Sequence, residues 1–216
     1  MPSRTPPDTL PVTLCLLAWD TCKQRFAQGG ELRFLLRGAA LADLSLRGCV
    51  SDDEGKVRPS GTKRTGDRVL DDMLREIGDD RPRTWRAWVH RHAGRTTTAV
   101  QDQLASAHIV GVENRRVLGI FPGRRVTLID SAMADAARAA VRDVVTGAGP
   151  VSDRDAALVA LVVTGDLRTV LSRRDRKEHE ERIEACTERG GQAAPALRKV
   201  LRGVKAARAS AQAGGG

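Results

Sequence analysis

The sequence predicts a mostly α-helical protein, a single domain of about eight helices around a four-helix core with one β-hairpin. Aromatic residues make up only 3% of the 216 residues, so aliphatic side chains must fill the core. Such a core suits packed helices better than a β-sandwich. Apolar residues recur at helical spacing along most of the chain, and two short apolar runs around a polar turn occur near residue 115. A charged fraction of 29% and a hydrophobic fraction of 41% are typical of a globular protein.

In the first half of the chain, residues 32–48 give the strongest helical signal, with apolar residues at i, i+3 and i+4 spacing. Residues 1–11 are predicted to be a flexible arm, and residues 20–31 the end of a first helix followed by a turn. Residues 51–64 indicate a surface loop or weak hairpin. Asp67 is placed to cap a helix, a further helix covers residues 84–92, and Thr96 or Thr97 caps the next.

In the second half, residues 109–112 and 117–121 are predicted strands of a hairpin that turns at residues 113–116. Residues 126–129 are a further extended stretch, and Asp130 or Ser131 caps a helix to Val145. Ser152 and Asp153 begin a helix that is apolar nearly all round and is therefore expected to be buried centrally.

Residues 166–185 are predicted to form one charged amphipathic helix, and residues 195–208 a short basic helix. The remaining residues, 209–216, are expected to form a disordered tail. The helical domain is therefore predicted to span residues 12–208.

The charge balance predicts an anionic partner. Lys and Arg number 36 against 27 Asp and Glu, a net charge of +9. Nucleic acid, a lipid headgroup and an acidic protein all fit this excess. No nucleophile, phosphate-loop or metal-ligand motif stands out, so we expect no catalytic residue, no metal, no cofactor and no enzymatic activity.

The cysteines and the N-terminus predict a cytoplasmic protein. Residues 1–11 do not show the pattern of a signal peptide, and the longest apolar run, residues 156–163, is too short to span a bilayer. The four cysteines form no CxxC pair, so we expect reduced thiols; they are Cys15, Cys22, Cys49 and Cys186.

Arginines flank the apolar residues of the predicted hairpin. Arg115 and Arg116 precede and Arg124 and Arg125 follow a run that contains Val117, Leu118, Ile120 and Phe121. This pattern suits an anionic membrane surface, because arginines attract headgroups while apolar side chains enter the interface. Alternatively, the hairpin packs its apolar side on the core and the arginines are only solvated.

A second alternative is a winged-helix unit that binds nucleic acid, with a helix in the major groove and the hairpin on phosphates. The preceding helix was expected at residues 97–108. That segment contains Asp102 and no Lys or Arg, which counts against groove binding.

Several segments also carry a family resemblance. They are residues 36–48 (LRGAALADLSLRG), residues 65–74 with TGD at their start, residues 104–111, residues 117–122 (VLGIFP) and residues 153–161 (DRDAALVAL). In this order they resemble the Golgi phosphoprotein 3 family in its bacterial, actinobacterial-type form. The resemblance implies a mostly helical peripheral membrane protein that binds phosphatidylinositol 4-phosphate and acts as an adaptor without enzymatic activity. It also implies that the hairpin inserts into the membrane and mediates self-association, so that the protein forms a homo-oligomer.

Carried over residue by residue, the resemblance gives Arg37 a role in headgroup binding. The family's pocket tryptophan has no Trp counterpart, Phe26 being the nearest aromatic residue. Two family arginines fall at Thr97 and Val100, with Arg95 the nearest basic residue. The alternative interpretation of Arg37, without a role in binding, is a surface arginine on an amphipathic helix.

We therefore expect a general preference for anionic phospholipid at the inner face of the membrane. The predicted headgroup-binding residues are Arg37, Arg95, Arg115, Arg116, Arg124 and Arg125, and the predicted inserting residues are Val117, Leu118, Ile120 and Phe121.

Overall fold

The computed structural model describes residues 7–61, 64–117 and 121–213, and this part of the chain is mostly helical. Its ten α-helices are α1 (Leu10–Leu17), α2 (Leu32–Leu46), α3 (Arg68–Asp79), α4 (Trp85–His90), α5 (Ala93–Ser106), α6 (Ser131–Thr146), α7 (Asp153–Thr164), α8 (Arg173–Glu178), α9 (Glu180–Arg189) and α10 (Ala193–Ala213). The predicted mostly α-helical fold is confirmed.

The described residues also contain seven strands, which form three small antiparallel sheets. They are β1 (Trp19–Asp20) with β2 (Arg25–Phe26), then β3 (Val50–Asp53), β4 (Lys56–Pro59) and β5 (Arg83–Thr84), then β6 (Val110–Val117) with β7 (Phe121–Leu128). The weak hairpin expected around residue 54 is therefore present as β3 and β4.

Helix α2 lies at the centre because its surface is apolar or small almost all round. Residues 32–44 are buried with the exception of Arg33. The helix packs against α1, α3, α4, α5, α7 and α10. Gly38 permits the close approach of α10, since a Cβ at this position would lie 3.2 Å from Cδ2 of Leu197.

Helix α7 is the second buried helix, as its apolar sequence predicted. Residues 156–162 are buried, and the helix packs against α2, α6, α9 and α10. Its cap is also as predicted, because the Ser152 side chain accepts a hydrogen bond from the Asp155 backbone N–H at 3.1 Å. A side-chain N-cap also begins α3, where Asp67 Oδ1 accepts a hydrogen bond from the Leu70 N–H at 2.9 Å.

Helix α5 begins earlier than expected. Thr96 and Thr97 were the predicted caps, but the helix starts at Ala93, and His92 precedes it in a left-handed conformation with φ 52°. No side chain caps the helix there. Thr96 therefore lies inside α5, where it is buried.

The segment 166–185 is not one helix. Asp166 adopts φ 51°, and the chain turns before Ser172 and Asp175 form a reciprocal cap that starts α8. Helix α9 follows separately from Glu180. The charge pattern alone did not reveal this break because both helices are charged and amphipathic.

Both ends of the chain and the first turn also differ from expectation. Helix α1 begins at Leu10, inside the predicted arm, and α10 runs to Ala213, beyond its predicted end. The turn expected at residues 20–31 contains the two-residue strands β1 and β2, where Trp19 meets the edge of Phe26 with ring centroids 5.1 Å apart. Strands this short carry too few residues for an alternating pattern.

Candidate functional site

The strands β6 and β7 form a longer ribbon than predicted, and the turn lies elsewhere. Residues 113–116 were expected to be the turn, but they belong to β6, and Val117 pairs with Phe121. Pro122 and Gly123, which follow the predicted second strand, lie within β7 opposite Arg116 and Arg115. Proline is tolerated there because both strands of a two-stranded ribbon are edge strands.

The ribbon is buried only at its base. Ile109 and Val110 are buried, and Val112, Val126 and Leu128 are partly buried against the core. Beyond this base, Glu113, Arg124 and Arg125 are exposed. Apart from its partner strand, β6 packs mainly on α5. At these three positions the ribbon therefore faces solvent.

Strand pairing brings the four predicted arginines together near one end of the ribbon. Arg124 lies opposite Asn114 and Arg125 opposite Glu113, next in register to the pairs that contain Arg115 and Arg116. Arg124 Nη2 also lies 2.5 Å from Asp102 Oδ1, which ties the ribbon to α5. Leu118 and Ile120, predicted to insert, lie outside the described residues.

Arg37 is buried rather than on the surface, so the surface alternative is wrong. Only 2% of the residue is exposed. Its Nε donates to the Trp88 carbonyl at 3.2 Å, Nη1 donates to Thr96 Oγ1 at 3.0 Å, and Nη2 lies 2.5 Å from Glu76 Oε2. Burial lowers the pKa of Arg37, and the nearby Glu76 carboxylate opposes that shift. The guanidinium therefore joins α2 to α3, α4 and α5.

A cavity of about 310 Å³ lies beside Arg37. Its charged lining consists of three arginines and three carboxylates, namely Arg37, Arg75, Arg95, Asp72, Glu76 and Asp79. The cavity is therefore balanced in charge. Arg37 and Arg95 meet there as expected, whereas Arg124 and Arg125 do not line it.

Sequence reasoning missed Glu76 and Thr96, the partners of Arg37. The signal that was available is the position of Arg37 on the buried face of α2, next to the buried residues Leu36 and Ala40. An arginine on such a face requires a counter-ion and hydrogen-bond acceptors. The identity of those partners depends on helix packing over sequence separations of 39 and 59 residues.

The cysteines and carboxylates offer no further site within the described residues. Cys15, Cys49 and Cys186 are buried, Cys22 is exposed, and none of these four described residues forms a disulfide. Burial raises the pKa of the Cys15 thiol to about 12. In the described ranges, no three His, Cys, Asp or Glu side chains are grouped so that they could hold a metal ion.

In residues 7–61, 64–117 and 121–213, no helix is both long enough and apolar enough to span a membrane. A comparison with curated proteins returns no match. The model of one protein family, Golgi phosphoprotein 3 (GPP34), matches residues 10–204. This match runs from the first residue of α1 through the buried helices and the ribbon into α10, which agrees with the motif order in the sequence. The chain belongs to the Golgi phosphoprotein 3 (GPP34) family.

Proposed function

We propose that the protein is a peripheral membrane protein that binds anionic phospholipid through the distal end of the β6–β7 ribbon. The observation that carries this proposal is the strand register. Arg115 and Arg116 in β6, and Arg124 and Arg125 in β7, all lie within four residues of the Val117–Phe121 pair along their strands. At about 3.3 Å per residue, all four arginine backbones lie within about 13 Å of that pair.

The physical basis is a combination of charge and apolar surface. Each arginine near an anionic bilayer contributes about 1 kcal/mol of attraction. The apolar residues between the arginines, whose sequence is VLGIF, are suited to the boundary between headgroups and acyl chains. The exposed position of Arg125 supports this assignment, whereas the guanidinium of Arg124 already pairs with Asp102.

For the lipid itself we propose a general anionic phospholipid rather than phosphatidylinositol 4-phosphate alone. All three guanidinium nitrogens of Arg37 already have partners within the protein. The carboxylates of Asp72, Glu76 and Asp79 would repel a multiply charged headgroup from the cavity. Arg95 is exposed at this cavity, whose other two arginines, Arg37 and Arg75, already pair with Glu76 and Asp72.

We further propose, from the family membership, that the protein works at the inner face of the membrane as a non-enzymatic adaptor. In this role the ribbon holds the protein at the bilayer, and the helical domain remains available to a protein partner.

Co-sedimentation with vesicles tests the lipid proposal. The full chain is mixed with phosphatidylcholine vesicles, with or without phosphatidylglycerol, at a salt concentration near 0.15 M, where the Debye length is about 8 Å. We expect the protein to pellet with the anionic vesicles and to remain in the supernatant with the neutral ones. Protein that stays in both supernatants, and that shifts a random DNA duplex in a salt-dependent manner, would support the nucleic-acid alternative instead.

A further inference from the structure

Helices α9 and α10 carry exposed stripes of opposite charge. The acidic stripe consists of Glu181, Glu184 and Glu188 on α9, and the basic stripe consists of Arg198, Arg202 and Lys205 on α10. Both helices also have buried faces, which include Ile183 and Cys186 on α9 and Leu197 and Val200 on α10. The stripes are therefore the outward sides of two helices that are already packed into the fold.

The two stripes lack partners within the described part of the chain. None of their six side chains forms a hydrogen bond or an ion pair within 4 Å there. Lys205 acts on Asp166 only at longer range. The cations of α9 are used elsewhere, because Arg182 donates to the Val144 and Gly149 carbonyls and Arg189 pairs with Asp153 at 2.5 Å. The acidic stripe is therefore not neutralised by its own helix.

Within the described part of the chain, the two stripes do not pair with each other. Helix α9 packs on α7, whereas α10 packs on α2, α4 and α7. On each helix, like charges three and four residues apart repel one another. Helix α10 has no acidic residue along its length that could relieve this repulsion. An opposite stripe from outside the chain would relieve it on both helices.

The spacing of the charges matches when the helices run antiparallel. From Glu181 the acidic stripe advances by three residues and then by four, and from Lys205, read backwards, the basic stripe does the same. At 1.5 Å per residue, both stripes step by about 4.5 Å and then about 6 Å along the helix axis. Three opposite charges therefore align at once.

We propose that a second copy of this chain docks here, with α9 of one copy antiparallel to α10 of the next. The contact pairs Glu181 with Lys205, Glu184 with Arg202 and Glu188 with Arg198. Because each copy carries both stripes, the contact is between different surfaces and can repeat from copy to copy. It uses neither the ribbon nor a lipid, so it does not depend on the proposed membrane function.

Exposed ion pairs are individually weak and are screened by salt, so the association is expected to be weak and salt-sensitive. In sedimentation velocity without lipid, the average mass of the wild-type chain should rise with protein concentration at about 0.05 M salt. At about 1 M salt, where the Debye length is about 3 Å, the chain should be monomeric.

Two charge-reversed variants test the pairing directly. One is E181K/E184K/E188K, which makes both stripes basic, and the other is R198E/R202E/K205E, which makes both stripes acidic. Each variant alone should remain monomeric at low salt because its stripes repel. An equimolar mixture should associate again, since the basic stripes of one variant face the acidic stripes of the other.

The control R68E/R81E/R174E reverses three exposed arginines outside the stripes and should self-associate like the wild type. Circular dichroism confirms that each variant is folded, and the mixture result is independent of small losses in stability. A wild-type chain that is monomeric at every concentration would overturn the proposal, as would a mixture that does not associate. It is also overturned if R198E/R202E/K205E self-associates normally but loses binding to anionic vesicles or DNA, since the basic stripe then serves a polyanion.

Discussion

Arg37 shows how the role of a residue changes when its surroundings are known. An arginine in residues 36–48, which resemble the family, suggests a solvent-accessible ligand for a lipid headgroup. Arg37, however, is only 2% exposed, and each of its three guanidinium nitrogens has a partner within the protein. Glu76 supplies the negative charge that a phosphate would otherwise bring. Arg37 therefore connects neighbouring helices through its hydrogen bonds and ion pair, and it also lines the cavity.

Replacing Glu76 with alanine should destabilise the protein by about 2–4 kcal/mol, because the buried guanidinium then lacks its counter-ion. Chemical denaturation followed by circular dichroism measures the loss. Arg86→Ala, at an exposed position of α4, is the control and should change the stability by less than about 0.5 kcal/mol. A Glu76→Ala protein as stable as the wild type would show that Arg37 does not depend on this pair.

Phe121 is the residue whose substitution should most affect insertion. Phe121→Asp places a charge at the Val117–Phe121 pair, where the proposal requires apolar surface, and should reduce vesicle binding at least about tenfold. Ile129→Asp introduces the same charge at the base of the ribbon, where Ile129 is 66% exposed, and should bind vesicles nearly as the wild type does. Equal losses in the two variants would indicate a general charge effect and no insertion at Phe121.

At the scale of elements, a helix could be predicted where its buried face makes apolar residues recur at helical spacing in the sequence. Helices α2 and α7 followed from their apolar patterns, and the caps at Asp67 and Ser152 from their side chains. The ribbon was harder, because Arg124 and Arg125 are both exposed and residues 126–128 are all partly buried, so no alternation of burial marks this strand. The apolar runs predict strands and place Arg115 and Arg116 in the turn, whereas both arginines lie in β6.

The close approach of α9 to α7 depends on Gly190. A Cβ at Gly190 would lie 2.6 Å from the Cβ of Ala160, an atom that cannot move aside without its backbone. Gly190→Ala should therefore cost about 1–3 kcal/mol in the free energy of unfolding. Gly78→Ala is the opposite control, because nothing lies within 4 Å of its Cβ, and its higher helix propensity should stabilise α3 by about 0.5–1 kcal/mol. A neutral Gly190→Ala would mean that the two helices can separate freely.

At the scale of the whole molecule, the cations behind the net charge of +9 differ in whether they form contacts within the protein. Several arginines are used internally, such as Arg37 at Glu76, Arg138 at the Trp19 carbonyl and Arg182 at the Val144 carbonyl. Composition could predict the excess but not its distribution, because these contacts join residues far apart in sequence. Arg125 on the ribbon and Arg198, Arg202 and Lys205 on α10 are among the exposed cations that remain for partners.

Acid should destabilise the protein as carboxylates lose their charge. A hydrogen bond from Arg83 is the main cause that holds the pKa of Asp80 below its ordinary value. A carboxyl with a lowered folded pKa contributes stability above its unfolded pKa of about 4 and loses that contribution as the pH falls through the folded pKa. Wild type should therefore melt at a higher temperature than Asp80→Asn at pH 7, and the two should converge near pH 2. A difference that persists at low pH would contradict the role assigned to the charge of Asp80.

The most direct test of membrane binding compares ribbon and control arginines on anionic vesicles. Arg115→Glu/Arg116→Glu changes the charge behind the Val117–Phe121 pair, and Arg68→Glu/Arg174→Glu makes the same change at side chains that are 87% and 89% exposed elsewhere. At about 1 kcal/mol for each arginine, the ribbon variant should lose at least tenfold in vesicle affinity, while the control stays within about twofold of the wild type. Equal binding by the ribbon variant and the control would contradict the account.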